Sequence, residues 1–103
     1  MVKHVILWKL KKELSPEDKQ KVKDGVKKGL ESLEGKIPGL LSIKVRSEGL
    51  DSSTADLMLD SAFASEEALK EYRVHPAHVQ VADTKVRPYV ETRLCLDYVE
   101  EDS

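Results

Sequence analysis

The chain has 103 residues, 40% hydrophobic and 35% charged, the composition of a single globular domain rather than a disordered segment. Lys and Arg number 17 against 19 Asp and Glu, a formal net charge of -2, so the basic excess of a nucleic-acid binder is missing. No apolar run approaches the roughly 20 residues that span a bilayer, the opening Met1-Val2-Lys3-His4 lacks a signal-peptide pattern, and the single cysteine, Cys95, fits a reducing compartment. A cytoplasmic location, with neither membrane nor nucleic acid as partner, is the expectation.

In chain order, Val2, His4, Ile6, Trp8 and Leu10 alternate with Lys3, Val5, Leu7 and Lys9, which predicts a strand with apolar residues on both faces. Ser15-Pro16-Glu17-Asp18 opens a helix: a hydroxyl to accept from a free N–H, a proline for the first helical position, and two acids for the positive end. Val22, Val26, Leu30 and Leu33 form its apolar stripe, Gly25 and Gly29 offer close packing on a sheet, and Gly35 with Pro38-Gly39 ends the element. The basic residues of this region, Lys19 to Lys28, read as a solvated helix face rather than a polyanion site.

Leu41, Ile43 and Val45 alternate with polar residues as a second strand, and Ala55, Leu57, Leu59, Ser61 and Phe63 mark a third. Ser65-Glu66-Glu67 starts a second helix carrying Ala68, Leu69 and Tyr72. His75-Pro76 breaks it, because a residue before proline avoids the α region. A short helical segment over 77–85 follows and ends at Arg87-Pro88. Val90, Thr92, Leu94, Leu96 and Tyr98 then alternate with Glu91, Arg93, Cys95 and Asp97 as a fourth strand. Residues 1–99 read as one domain and 100–103 as a short acidic tail.

The order β-α-β-β-α-β is the split βαβ unit of the ferredoxin-like α+β class. Two helices cover one face of such a sheet, yet every strand here offers apolar residues to both. A second copy of the chain is the simplest cover for the other face, which predicts a homodimer, a dimeric α+β barrel.

Three stretches carry a family likeness: Val2-Lys3-His4-Val5-Ile6-Leu7-Trp8-Lys9-Leu10, Ser61-Ala62-Phe63-Ala64-Ser65, and Tyr72-Arg73-Val74-His75-Pro76-Ala77-His78-Val79. On these the chain resembles the stress-responsive A/B barrel domain family (Dabb) from about Val2 to Tyr98. The family includes a plant polyketide cyclase, which forms olivetolic acid by aldol closure without metal or organic cofactor. By that resemblance His78 is the general base, Tyr72 its helper, and His4 a pocket residue on the first strand. Leu57 stands where the cyclase carries a further histidine, which implies a different substrate. The antibiotic-biosynthesis monooxygenases share the dimeric barrel and are an alternative relative.

Two functional classes remain open. One is a binding protein for a small apolar or carbonyl-containing ligand; the other is an enzyme that uses His78 for acid–base chemistry, a task suited to a side chain that titrates near neutrality. His4 and Trp8 share a strand face and are ligand-lining candidates, or core residues. His75 reads as a cap for the broken helix. No cofactor and no metal are expected: a phosphate loop is missing, no tight sequence spacing joins a histidine to a carboxylate or to Cys95, and Pro76 spoils a His75–His78 chelate. Cys95 reads as a buried, inert thiol.

Overall fold

In the computed structural model, which describes residues 1–101, the Ser15 hydroxyl accepts the Asp18 N–H at 3.1 Å, with Pro16 in the first helical turn. That cap starts helix α1 (Pro16–Glu31), which follows strand β1 (Val2–Leu10). Strands β2 (Leu40–Arg46) and β3 (Leu57–Phe63) come next, then α2 (Glu66–Val74) and α3 (Pro76–Val81). A π-helical turn (Ala82–Val86) and a 3₁₀ turn (Arg87–Tyr89) lead into β4 (Val90–Val99). The sheet order is β2-β3-β1-β4, with every neighbouring pair antiparallel. This is the expected ferredoxin-like α+β fold.

The register assigns the faces. Val2, His4, Ile6, Trp8 and Leu10 of β1 turn toward the helices together with Leu57, Leu59, Ser61 and Phe63 of β3. Val22, Val26 and Leu30 of α1 meet them, and burying such side chains contributes about 1.5–3 kcal/mol each. Leu33 lies beyond the helix end but stays buried at 2% exposure. The Glu31 carboxylate accepts the Val45 N–H at 2.9 Å and the Lys27 ammonium, which fastens the end of α1 to β2.

Three sequence expectations shift in detail. Strand β3 begins at Leu57 rather than Ala55, because Asp56 is occupied elsewhere: its N–H donates to the Trp8 carbonyl and its carboxylate accepts the Leu10 N–H. The glycines of α1 face the following helices, not the sheet. A Cβ on Gly29 would lie 2.8 Å from Val81 Cγ1, and Gly25 faces Lys85. The segment after Pro76 is a helix of six residues that widens into the π turn, rather than one continuous helix. Of the tail expected at 100–103, Asp102 and Ser103 lie outside the described residues, whereas the Glu100 N–H donates to the Met1 carbonyl at 2.9 Å.

Strand β4 is one of the two sheet edges, β2 being the other, and is exposed almost throughout. Its pairing sets Val99, Asp97, Cys95 and Arg93 opposite the inward residues of β1, so its inner face is largely polar. The outer set is apolar, with Leu94 and Leu96 each 64% exposed beside Leu7. Among the described residues no helix is long and apolar enough to cross a membrane.

Candidate functional site

Helix α2 ends at Val74 because His75, in an extended conformation, precedes Pro76. The His75 ring then caps the next helix: Nδ1 accepts the Ala77 N–H at 3.1 Å. That lone pair is spent on the backbone, so His75 is structural as expected. The turn sets His78 against Tyr72, with ring centroids 4.1 Å apart. Tyr72 also contacts Phe63 (4.9 Å) and His4 (6.1 Å) edge-on or tilted, an arrangement aromatic rings favour.

His4, Tyr72 and His78 line one cavity of about 470 Å³, in the range of small-molecule sites. Ile6, Trp8, Leu30 and Leu59 give it an apolar floor, while His4, Tyr72 and His78 form a polar wall. Arg73, Arg87 and Arg93, with Glu91, stand at its charged side. All four sequence candidates, His4, Trp8, Tyr72 and His78, therefore meet in one place. Leu57 does not: it is buried in register with Trp8, and Leu59 is the β3 residue that reaches the cavity.

The hydrogen-bond partners fix the chemistry of each group. His78 Nδ1 lies 3.3 Å from the Arg73 carbonyl, which only accepts, so Nδ1 carries the proton and Nε2 keeps a lone pair. Burial lowers the His78 pKa, with Arg87, His4 and Arg93 adding to the effect against the Arg73 carbonyl, so the ring is neutral at pH 7. The Tyr72 hydroxyl is buried and has no hydrogen-bond partner among the described residues, and burial pushes its pKa up, so it stays a phenol. An unpartnered buried hydroxyl costs about 1–3 kcal/mol, which a ligand oxygen would offset.

His4 is 2% exposed, and its Nδ1 donates to Asp97 Oδ1 at 2.5 Å. Asp97 Oδ2 accepts from Arg73 at 2.5 Å. Burial lowers the His4 pKa although Asp97 opposes it. Burial raises the Asp97 pKa, but His4, Cys95 and Arg73 outweigh that and hold it below the usual value. The sequence reading missed Asp97 and Arg73, and it misplaced Cys95. That thiol belongs to an exposed residue, with Sγ 3.4 Å from Asp97 Oδ1 and 3.7 Å from His4 Nδ1. Strand β4 is exposed along nearly its whole length, and Cys95 with it. The findable signal was the cross-strand placement: Cys95 and Asp97 share the face of β4 opposite His4 and Ile6.

The family model of the Stress Responsive A/B Barrel Domain matches residues 2–100. Three solved structures resemble the chain along nearly its whole length. A dimeric ferredoxin-like protein of unknown function from Bacteroides fragilis is 32% identical, with 94% of this chain and 93% of that one covered and a TM-score of 0.88. An Arabidopsis thaliana protein is 26% identical, covering 100% and 98%, with a TM-score of 0.74. The hydroxynitrile lyase of Passiflora edulis is 19% identical, covering 99% and 94%, with a TM-score of 0.78, a likeness of fold alone. A search of curated proteins found no match.

Proposed function

The chain belongs to the stress-responsive A/B barrel domain family, and we propose that its cavity binds a small, largely apolar molecule bearing a carbonyl group and abstracts a proton beside that carbonyl. One observation carries this reading: a neutral histidine with a free Nε2 stacks on a phenol whose buried hydroxyl has no partner, at the wall of an apolar cavity. His78 Nε2 takes the proton from the carbon next to the carbonyl. The Tyr72 hydroxyl donates to the oxygen that gains charge, a placed donor in a dry site. The scheme calls for neither metal nor organic cofactor. The hydroxynitrile lyase on the same fold is consistent with acid–base work in such a barrel.

The test is a screen of β-keto and related carbonyl compounds with purified, chelator-treated protein. His78→Ala is expected to lower turnover about 10²- to 10⁴-fold, the usual contribution of a positioned base, with the fold intact by circular dichroism. Tyr72→Phe is expected to be milder. Turnover untouched by His78→Ala overturns the assigned base, and turnover lost to EDTA and restored by a divalent ion overturns the cofactor-free scheme. Binding of such compounds without turnover leaves the pocket as a ligand carrier.

We also infer that the working unit is a homodimer joined through the open sheet face. Leu7, Leu94, Leu96 and Tyr98 are 40–64% exposed there, and the Bacteroides fragilis relative is described as dimeric. Sedimentation at micromolar concentration is expected to give twice the chain mass of 11.6 kDa, and Leu96→Asp to shift it toward monomer. A wild-type monomer overturns the inference.

A further inference from the structure

We propose that His4, Cys95 and Asp97 form a three-donor site for zinc(II) on the β1–β4 ribbon. The three ligand atoms close a triangle with sides of 2.5, 3.4 and 3.7 Å. The point equidistant from the three atoms lies in their plane about 1.9 Å from each, so a tetrahedral zinc needs the 2.5 Å His4–Asp97 contact to open by about 0.8 Å and the Cys95 sulfur to withdraw by about 0.4 Å, both side-chain movements. The hydrogen bond between His4 and Asp97 accounts for two of these atoms. The Cys95 thiol donates to the same Asp97 oxygen at 3.4 Å, which brings a soft sulfur donor beside the nitrogen and the oxygen.

The donor set and its support suit this ion. Imidazole, thiolate and carboxylate together favour zinc over magnesium or calcium, which take oxygen donors. The donors sit on two directly paired strands, with His4 opposite Asp97 and Ile6 opposite Cys95, so the backbone fixes their spacing. Arg73 holds the outer oxygen of Asp97 at 2.5 Å and aims the inner one at His4, the kind of outer partner that orients metal ligands.

Binding balances as follows. Zn²⁺ takes the Cys95 thiolate, the Asp97 carboxylate and His4 Nδ1. The thiol proton leaves to solvent, and the imidazole proton moves from Nδ1 to Nε2, so one proton is released per ion. His4 then presents an N–H where it presented a lone pair. The site shares His4 with the cavity wall but does not use His78, and zinc binding is read whether or not the pocket turns over a substrate.

The experiment titrates the full-length protein, stripped with EDTA and dialysed, with zinc chloride by calorimetry in two buffers, and with cobalt(II) by absorption. One zinc per chain, about one proton released, and a near-ultraviolet thiolate-to-cobalt band are expected. Cys95→Ser, at an exposed position, is expected to abolish that band and weaken zinc about tenfold or more. Arg73→Gln is expected to weaken zinc about 10- to 100-fold while leaving the band's position unchanged. Absence of stoichiometric zinc binding, or zinc and cobalt binding unaltered by Cys95→Ser, overturns the site.

Discussion

The two halves of the inner layer differ. Over β2 and much of β3 the space is filled: Val26 and Phe63 are wholly buried, and Val45 and Ile43 nearly so. Over β1 and β4 it is hollow, and the groups facing the hollow are His4, Tyr72, His78 and the arginines. Both halves lie under the same sheet. The difference comes from two local departures: Pro76 turns the chain after α2, and β4 presents Arg93, Cys95 and Asp97 inward where β2 presents Leu40, Ile43 and Val45. Packing is perfected where nothing is bound and withheld where polar groups converge.

That contrast is open to measurement, most strongly through a matched pair of substitutions. Phe63→Ala, in the filled half, is expected to cost about 3–5 kcal/mol in urea unfolding, the usual loss for a buried aromatic. Tyr72→Phe removes a hydroxyl that bonds nothing, so stability should change by less than about 0.5 kcal/mol or rise. Equal losses would erase the distinction between the halves.

A smaller effect probes the seam between them. Gly29→Ala gains about 1 kcal/mol of helix propensity, yet its Cβ would meet Val81 Cγ1 at 2.8 Å, and overpacking costs about 1–3 kcal/mol. The net expectation is a modest loss, read as a lower melting temperature. A clear gain would mean that α3 rides loosely on α1.

The smallest effect is set by pH. The folded pKa of His78 is lowered by burial, with Arg87, Arg93 and His4 facing it, so below the ordinary imidazole value near 6.5 the unfolded chain binds this proton more readily. Stability is therefore unaffected by His78 above that value and falls as pH drops through the window beneath it. His78→Gln should flatten that acid slope; an unchanged slope would remove His78 as its source. The same shift predicts that turnover dependent on His78 persists at mildly acidic pH and declines only below 6.5.

The fold was legible because its signals are local. Alternation at Val2–Leu10, the Ser15-Pro16 start and the His75-Pro76 break each act within a few residues, and each stands where expected. The grouping of His4, Trp8, Tyr72 and His78 became legible through the family resemblance, since no spacing rule carries a ring across a proline break. Asp97, Arg73 and the true setting of Cys95 were illegible because they depend on one long-range fact: which strand β1 takes as its second neighbour. A free cysteine is more often buried than not, whereas Cys95 lies on a strand that is exposed almost throughout.

The Met1–Glu100 backbone bond closes a ribbon whose partners lie at opposite ends of the sequence, His4 and Asp97 being 93 positions apart. Such a pairing has the largest loop to close and is among the last contacts a chain completes. During synthesis, α1, β2, β3 and α2 emerge while β4 is still in the ribosome, so the filled half is free to collapse first. The side of the cavity lined by Val90, Glu91 and Arg93, and the cluster of His4 with Cys95 and Asp97, come into being only when the last strand arrives. A chain truncated before Val90 would keep much of its core and lack Cys95 and Asp97.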